Sequence, residues 1–199
     1  MQKSLKQRGF CHLFGDGIPL DEGVMAFKYA IGRVTDPKEL IPHLFEHIDP
    51  GFVARVRPGD FVIAGKDFGC GKPHIQGFIA MAGLHMGVLC GSMPYKALRG
   101  AISKGLPVLT GCADAAAFAA AGDEIEVDFA SGEALNHSTG KRATFPAMPE
   151  VLREIISNGG ASGQLAAWLE QHPEQRAAAG TANALEAGTP LKFVPRAAA

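Results

Sequence analysis

The chain has 199 residues, 47% of them hydrophobic, and its 19 basic and 20 acidic side chains leave a net charge of -1. That length and apolar content suit one domain with a proper core, or one domain with a tail. The charge balance offers no basic face for nucleic acid, and no apolar run reaches the ~18 residues a bilayer crossing needs, so neither nucleic acid nor membrane is expected as a partner.

The N-terminal Met1-Gln2-Lys3-Ser4-Leu5-Lys6 is basic, but no long apolar segment or small-residue cleavage site follows it. A cytoplasmic setting is therefore expected. The four cysteines, Cys11, Cys70, Cys90 and Cys112, contain no Cys-x-x-Cys pair. That spacing supports neither a zinc site nor a self-contained iron–sulfur cluster, so no metal is assigned to this chain and buried free thiols are expected.

Along the chain, Phe10 to Phe14 reads as a short strand closed by the turn Gly15-Asp16-Gly17. Pro19 to Gly32 mixes acidic, apolar and basic residues and reads as a long loop or lid. Asp36 caps a helix with Pro37 in its first turn, and Leu40, Ile41, Leu44, Phe45 and Ile48 predict a helical apolar stripe up to Asp49-Pro50-Gly51. Strands follow at Phe61–Ala64, Gly87–Cys90 and Leu106–Leu109, with helices after residue 75 and over Pro94 to Lys104. Strands alternating with helices predict a parallel α/β core.

The pattern then changes. Asp123 to Phe129 alternates acidic and apolar residues, the mark of a half-exposed strand. A turn over Asn136 to Lys141 leads to a partner strand, Arg142 to Phe145. Pro149 to Ser157 predicts a short helix that stops at Asn158-Gly159-Gly160, and Gly163 to Gln171 a further helical stretch. Residues 1–170 are assigned to the domain and 171–199 to an alanine-rich C-terminal tail.

The stretch Asp67-Phe68-Gly69-Cys70-Gly71-Lys72-Pro73-His74 sits between the strand Phe61–Ala64 and the next helix. A strand, a glycine-rich turn and a helix N-terminus in that order aim backbone N–H groups at an anion. The glycines allow close approach, and Lys72 and His74 add side chains that hold charge or move protons. An ordinary glycine-rich connection accounts for the local pattern equally well.

Further motifs accompany that turn in order: Phe14-Gly15-Asp16, Ile48-Asp49-Pro50, Pro58-Gly59-Asp60, Lys104-Gly105-Leu106-Pro107, Gly122-Asp123, Val127-Asp128-Phe129 and Asn136-His137-Ser138-Thr139-Gly140. Together, from about Gly9 to about Leu169, they resemble the small subunit of 3-isopropylmalate dehydratase, which corresponds to the swivelling C-terminal domain of aconitases. The resemblance implies an α/β fold, an aconitase-type swivelling β/β/α domain with a mainly parallel core and an added β-hairpin region. It also implies a heteromeric hydro-lyase that dehydrates or hydrates a hydroxy di- or tricarboxylic acid. The small subunit would close over a large subunit carrying a [4Fe-4S] cluster and bind no cofactor itself.

The departure from the family falls on the chemistry. Family members usually follow Phe-Gly-Cys-Gly with Ser-Ser-Arg-Glu-His, in which the first serine supplies the base and the second serine and the arginine hold carboxylates. Here those places are Lys72, Pro73, His74, Ile75 and Gln76. Lys72 and His74 are therefore the candidate catalytic residues: a desolvated lysine can accept a proton, and His74 can replace the arginine as a pH-dependent anion clamp or act as the base. Gly69, Cys70, Gly71, Asp21, Lys28 and Arg99 are the candidate substrate-binding residues, with Ser92 also fitting the family pattern. Asp21 ends a front loop in which the family's Asp-Asn-Ile-Asp-Thr-Asp becomes Asp16-Gly17-Ile18-Pro19-Leu20-Asp21. Lys28 stands where an arginine is common; Arg99, like Ser92, fits a pattern found in many relatives, though the surface-arginine reading is preferred for it. Three readings stay open: a divergent hydro-lyase subunit, a catalytically inert paralogue acting as a binding or regulatory subunit, and a stand-alone enzyme using the turn for other acid–base chemistry.

Overall fold

The computed structural model describes residues 5–175. Strand β1 (Lys6–Leu13) leads through α1 (Phe27–Ile31), α2 (Pro37–Leu40) and α3 (Phe52–Arg55) to β2 (Phe61–Ala64). Helix α4 (Gln76–Gly83) connects β2 to β3 (Gly87–Cys90), and α5 (Tyr95–Ser103) connects β3 to β4 (Val108–Leu109). After α6 (Ala115–Phe118) come β5 (Glu124–Asp128), β6 (Glu133–Asn136), β7 (Arg142–Thr144), α7 (Glu150–Ser157) and α8 (Ala161–Gln171).

The seven strands form one mixed sheet in the order β4-β3-β2-β1-β5-β6-β7. β4, β3, β2 and β1 pair in parallel, while β1, β5, β6 and β7 pair antiparallel. β1 therefore joins a parallel half to an antiparallel half. All four residues of β2 and of β3 are buried, because parallel strands carry helices on both faces and must be apolar throughout. Val62, Ala64, Val88 and Val108 face a core with Phe45, Phe52, Phe68 and Phe78. Phe61, Ile63, Leu89 and Leu109 face a second core with Phe118, Phe129 and Ile156. β5 instead alternates buried and half-buried residues, as its acidic–apolar pattern predicts.

Two sequence expectations need correction. The apolar stripe from Leu40 to Ile48 is not one helix: α2 ends at Leu40, a 3-10 turn spans Ile41–His43, and Phe45 takes a left-handed φ of 56°. Pro42 has no N–H to continue the helical ladder, and its ring opposes the preceding turn. Leu40, Leu44 and Phe45 remain buried nonetheless, while Ile48 is exposed. The second correction concerns the hairpin. Arg142 to Thr144 pairs with β6, which lies between it and β5. Glu133-Ala134-Leu135-Asn136 lacks β-branched and aromatic residues, so its strand character comes from its neighbours on both sides.

The chain divides into two compact units after Gln164. In the second unit, Trp168 stacks on His172 with ring centroids 4.1 Å apart. The expected tail lies outside the described residues from 176 onward. No helix among the described residues is long and apolar enough to cross a membrane.

Candidate functional site

The chain leaves β2 at the C-terminal edge of the parallel half, where ligand crevices of parallel sheets form, and reverses in a tight turn. Asp67, Gly69 and Gly71 all have left-handed φ values, 57°, 80° and 83°. Gly69 also lacks room for a side chain, since a Cβ there would sit 3.1 Å from the Cβ of Ala97 on α5. Only glycine meets both demands without strain.

Two neighbouring segments brace the turn. From the β3–α5 connection, Ser92 Oγ accepts the Asp67 N–H at 2.8 Å and Ser92 O accepts the Phe68 N–H at 3.0 Å. From the front loop, Ile18 O accepts the Gly69 N–H at 2.8 Å, and the Leu20 N–H donates to Cys70 O at 3.1 Å. Asp16 Oδ1 accepts the Lys66 N–H at 2.7 Å. The long segment from Pro19 onward is thus not a free lid: it is laced to the turn by a Pro19–Cys70 bridge.

That lacing brings Asp21 to His74. His74 Nδ1 lies 2.8 Å from both Asp21 Oδ1 and Oδ2, so a proton on Nδ1 is shared between the two carboxylate oxygens. The Phe27 ring flanks the imidazole at 5.0 Å. Both members of the pair are half-buried. The His74 N–H donates to Lys72 O at 2.9 Å, folding the Lys72-Pro73-His74 segment back on itself. The Lys72 side chain is exposed and makes no hydrogen bond or ion pair among the described residues.

The expected backbone cradle is smaller than its sequence suggests. Gly69 and Cys70 spend their N–H groups on Ile18 O of the front loop and on Asp67 O within the turn. The N–H groups of Gly71 and Lys72 have no acceptor among the described residues, and Pro73 has no N–H to offer. Cys70 is half-buried, its thiol donating to Gly17 O at 3.5 Å.

Lys28 and Arg99 make their contacts in other directions. Lys28 Nζ lies 3.6 Å from Glu46 Oε1 and 5.0 Å from the Tyr29 ring centroid, and the Glu46 carboxylate raises its ammonium above the ordinary lysine range. Arg99 lies over the Tyr95 ring at 5.9 Å and lines a groove between α5 and α7 with Leu152 and Ile155. The structure therefore gathers Lys72, His74, Asp21 and the Gly69–Gly71 turn. Sequence reasoning named Asp21 and His74 separately and missed their pairing, as well as Asp16 and Ser92 as braces and Phe27 as a wall. Asp16 and Ser92 carried a signal as family-pattern positions, and Phe27 only as a neighbour of Lys28 in the loop where the resemblance implies an Arg-Tyr pair.

The remaining cysteines bear on cofactors. Burial pushes the Cys11 thiol up to about 11, and those of Cys90 and Cys112 up to about 12. Thiols held protonated inside a core are poor ligands, because iron–sulfur clusters bind thiolates. Cys70, the fourth, has no second cysteine in its turn, so the cysteines of this chain do not fit a cluster.

No family model matches the chain. Curated relatives do resemble it over most of their length. It is 37% identical over 155 residues to the 3-isopropylmalate dehydratase small subunit of Moorella thermoacetica, covering 77% of this chain and 90% of that protein. It is 35% identical over 158 residues to the 2,3-dimethylmalate dehydratase small subunit of Eubacterium barkeri, covering 78% of this chain and 94% of that one. Among solved structures, 3-isopropylmalate dehydratase (LeuD) from Methanocaldococcus jannaschii superposes with a TM-score of 0.75 at 28% identity, over 85% of this chain and 99% of that chain.

Proposed function

The chain belongs to the 3-isopropylmalate dehydratase small-subunit family, and from that premise we propose that it is the small subunit of a hydro-lyase acting on a hydroxy di- or tricarboxylic acid. Its partner is a large subunit carrying a [4Fe-4S] cluster, in a cytoplasmic heteromer. The observation that carries this reading is the retained turn, Asp67 to Gly71, braced on both sides and presenting Lys72 and the Asp21–His74 pair at one place. A site shaped this closely suits a ligand that must be held while a proton moves.

Dehydration beside a carboxylate needs a base for the proton on the carbon next to it, cationic groups for the carboxylates, and assistance for the departing hydroxyl. The cysteines of this chain do not fit a cluster, and the family resemblance assigns that assistance to the large subunit. This chain supplies the first two functions, from Lys72, His74 and the free N–H groups of Gly71 and Lys72. A second reading, a catalytically inert binding subunit, is favoured by the replacement of the family's Ser-Ser-Arg with Lys72-Pro73-His74.

Co-expression with the iron–sulfur large subunit tests the proposal. The expected outcome is a stable brown complex that dehydrates or hydrates at least one acid from a panel of substituted malates and tricarboxylates. A complex with an intact cluster but no turnover across the panel would favour the inert reading, and no complex at all would overturn both.

A further inference from the structure

We infer that Asp21 and His74 form a base unit in which Asp21 positions the imidazole and His74 Nε2 is the proton-accepting atom, with Lys72 as the carboxylate clamp. The inference rests on the hydro-lyase reading and divides roles that the sequence leaves interchangeable. Nδ1 is occupied by both oxygens of Asp21 at 2.8 Å, so the ring's proton sits on Nδ1. Nε2 has no partner among the described residues and is left as a lone-pair acceptor. Both groups are fixed by backbone rather than by chance approach: Leu20 N–H to Cys70 O and the Pro19–Cys70 bridge hold the front loop to the turn. The Asp21–Met25 bridge and the Phe27 ring complete the setting.

Lys72 lacks the surroundings of a base. It is exposed, with no group of this chain withdrawing it from water and no carboxylate spending its charge among the described residues. A hydrated ammonium two residues from an imidazole is suited to hold a substrate carboxylate. Pro73 between them fixes one backbone dihedral of the segment that carries both.

Nε2 takes the proton from the carbon next to a carboxylate, and the electron pair of that C–H bond becomes the new C=C bond. The C–O bond of the neighbouring hydroxyl breaks with its pair on oxygen, which leaves as hydroxide. The proton gained by His74 and the hydroxide released together equal one water. Asp21 opposes the positive charge that forms on the ring, an interaction strongest after proton transfer. Hydration runs the same sequence backwards.

Two measurements test the inference. In the isolated full-length chain labelled with ¹⁵N-histidine, the resonance removed by His74→Gln is expected to show the neutral ring protonated on Nδ1. Asp21→Ala should return that ring to the Nε2-protonated form usual in solution. A His74 ring already protonated on Nε2 in the unaltered chain overturns the pairing. In the reconstituted complex, His74→Gln and Asp21→Ala should each lower kcat by ~10²-fold or more with KM little changed. Asp21→Glu should recover part of that loss, and Lys72→Ala should act mainly on KM. Retained turnover in both His74→Gln and Asp21→Ala would remove the base assignment and leave the hydro-lyase reading standing. An inactive complex would take the base role down with that reading, and the tautomer would still decide the pairing.

Discussion

Asn136 is wholly buried, and each of its side-chain atoms is committed. Nδ2 donates to Phe118 O at 3.1 Å and to Asp123 Oδ2 at 2.8 Å, while Oδ1 accepts the Thr139 N–H at 3.0 Å. Asn136→Ala strands a buried carbonyl and an N–H, which costs about 1–3 kcal/mol, measurable by urea denaturation at neutral pH. The bond from Asn136 is also the first cause, ahead of the Ala120 N–H, that holds the Asp123 carboxyl below the usual carboxylate range. A depressed carboxylate binds fewer protons folded than unfolded, so its stabilisation is present above about pH 3.9 and is lost as pH falls through the lower folded value. Asn136→Ala should therefore lose less further stability on acidification than the unaltered chain does. The cysteines give a second check. With Cys11, Cys90 and Cys112 buried and their thiols raised to about 11 or 12, only Cys70 should react with a thiol reagent at pH 8 in the folded chain. Cys70→Ala should abolish the fast phase, and two or more fast thiols would contradict the described core.

Among the elements, α4 ties the candidate site to the front loop. Gly77 lies in its first turn, and a Cβ there would overlap Cγ1 of Val24. Replacing a helical glycine with alanine ordinarily gains up to ~1 kcal/mol, but forcing a methyl into filled space costs ~1–3 kcal/mol. The sign is thus set by packing, and Gly77→Ala should lower the urea midpoint; a raised midpoint would show that Val24 yields. Packing also explains which elements were legible in the sequence. β2 and β3 are continuous apolar runs because both faces are covered, so their ends could be read to the residue. The Leu40–Ile48 stripe marked Leu40, Leu44 and Phe45 as buried, missed that Ile48 is exposed, and wrongly implied one helix, because periodicity records which side is apolar and not whether Pro42 lets the ladder continue. β6 carries no local signal at all. At the site, the glycines and the Lys72-Pro73-His74 departure were visible. The Asp21–His74 contact was not, since it joins residues 53 positions apart through hydrogen bonds between backbone groups, which any side chains could accompany.

At the scale of the whole molecule, a family frame and an altered motif coexist. The mixed sheet and the relatives named above fix the family, while Lys72, Pro73 and His74 stand where the resemblance implies Ser-Ser-Arg. On the proposed reading, the Lys72-Pro73-His74 departure and the contact between Asp21 and the His74 imidazole mark a replaced base. The alternative is a turn kept only as scaffold. These alternatives separate in one comparison: the dehydration rate of the reconstituted complex with the unaltered chain, and with the chain carrying Lys72→Ser, Pro73→Ser and His74→Arg together. The unaltered complex is expected to turn over and the triple variant to lose ~10²-fold or more, because the His74 imidazole is gone. Asp21, aimed at position 74, would pair with the introduced arginine and keep it from a substrate carboxylate, so that a serine at 72 alone does not restore the site. A silent unaltered complex whose triple variant becomes active would contradict the account and make this chain an inert relative.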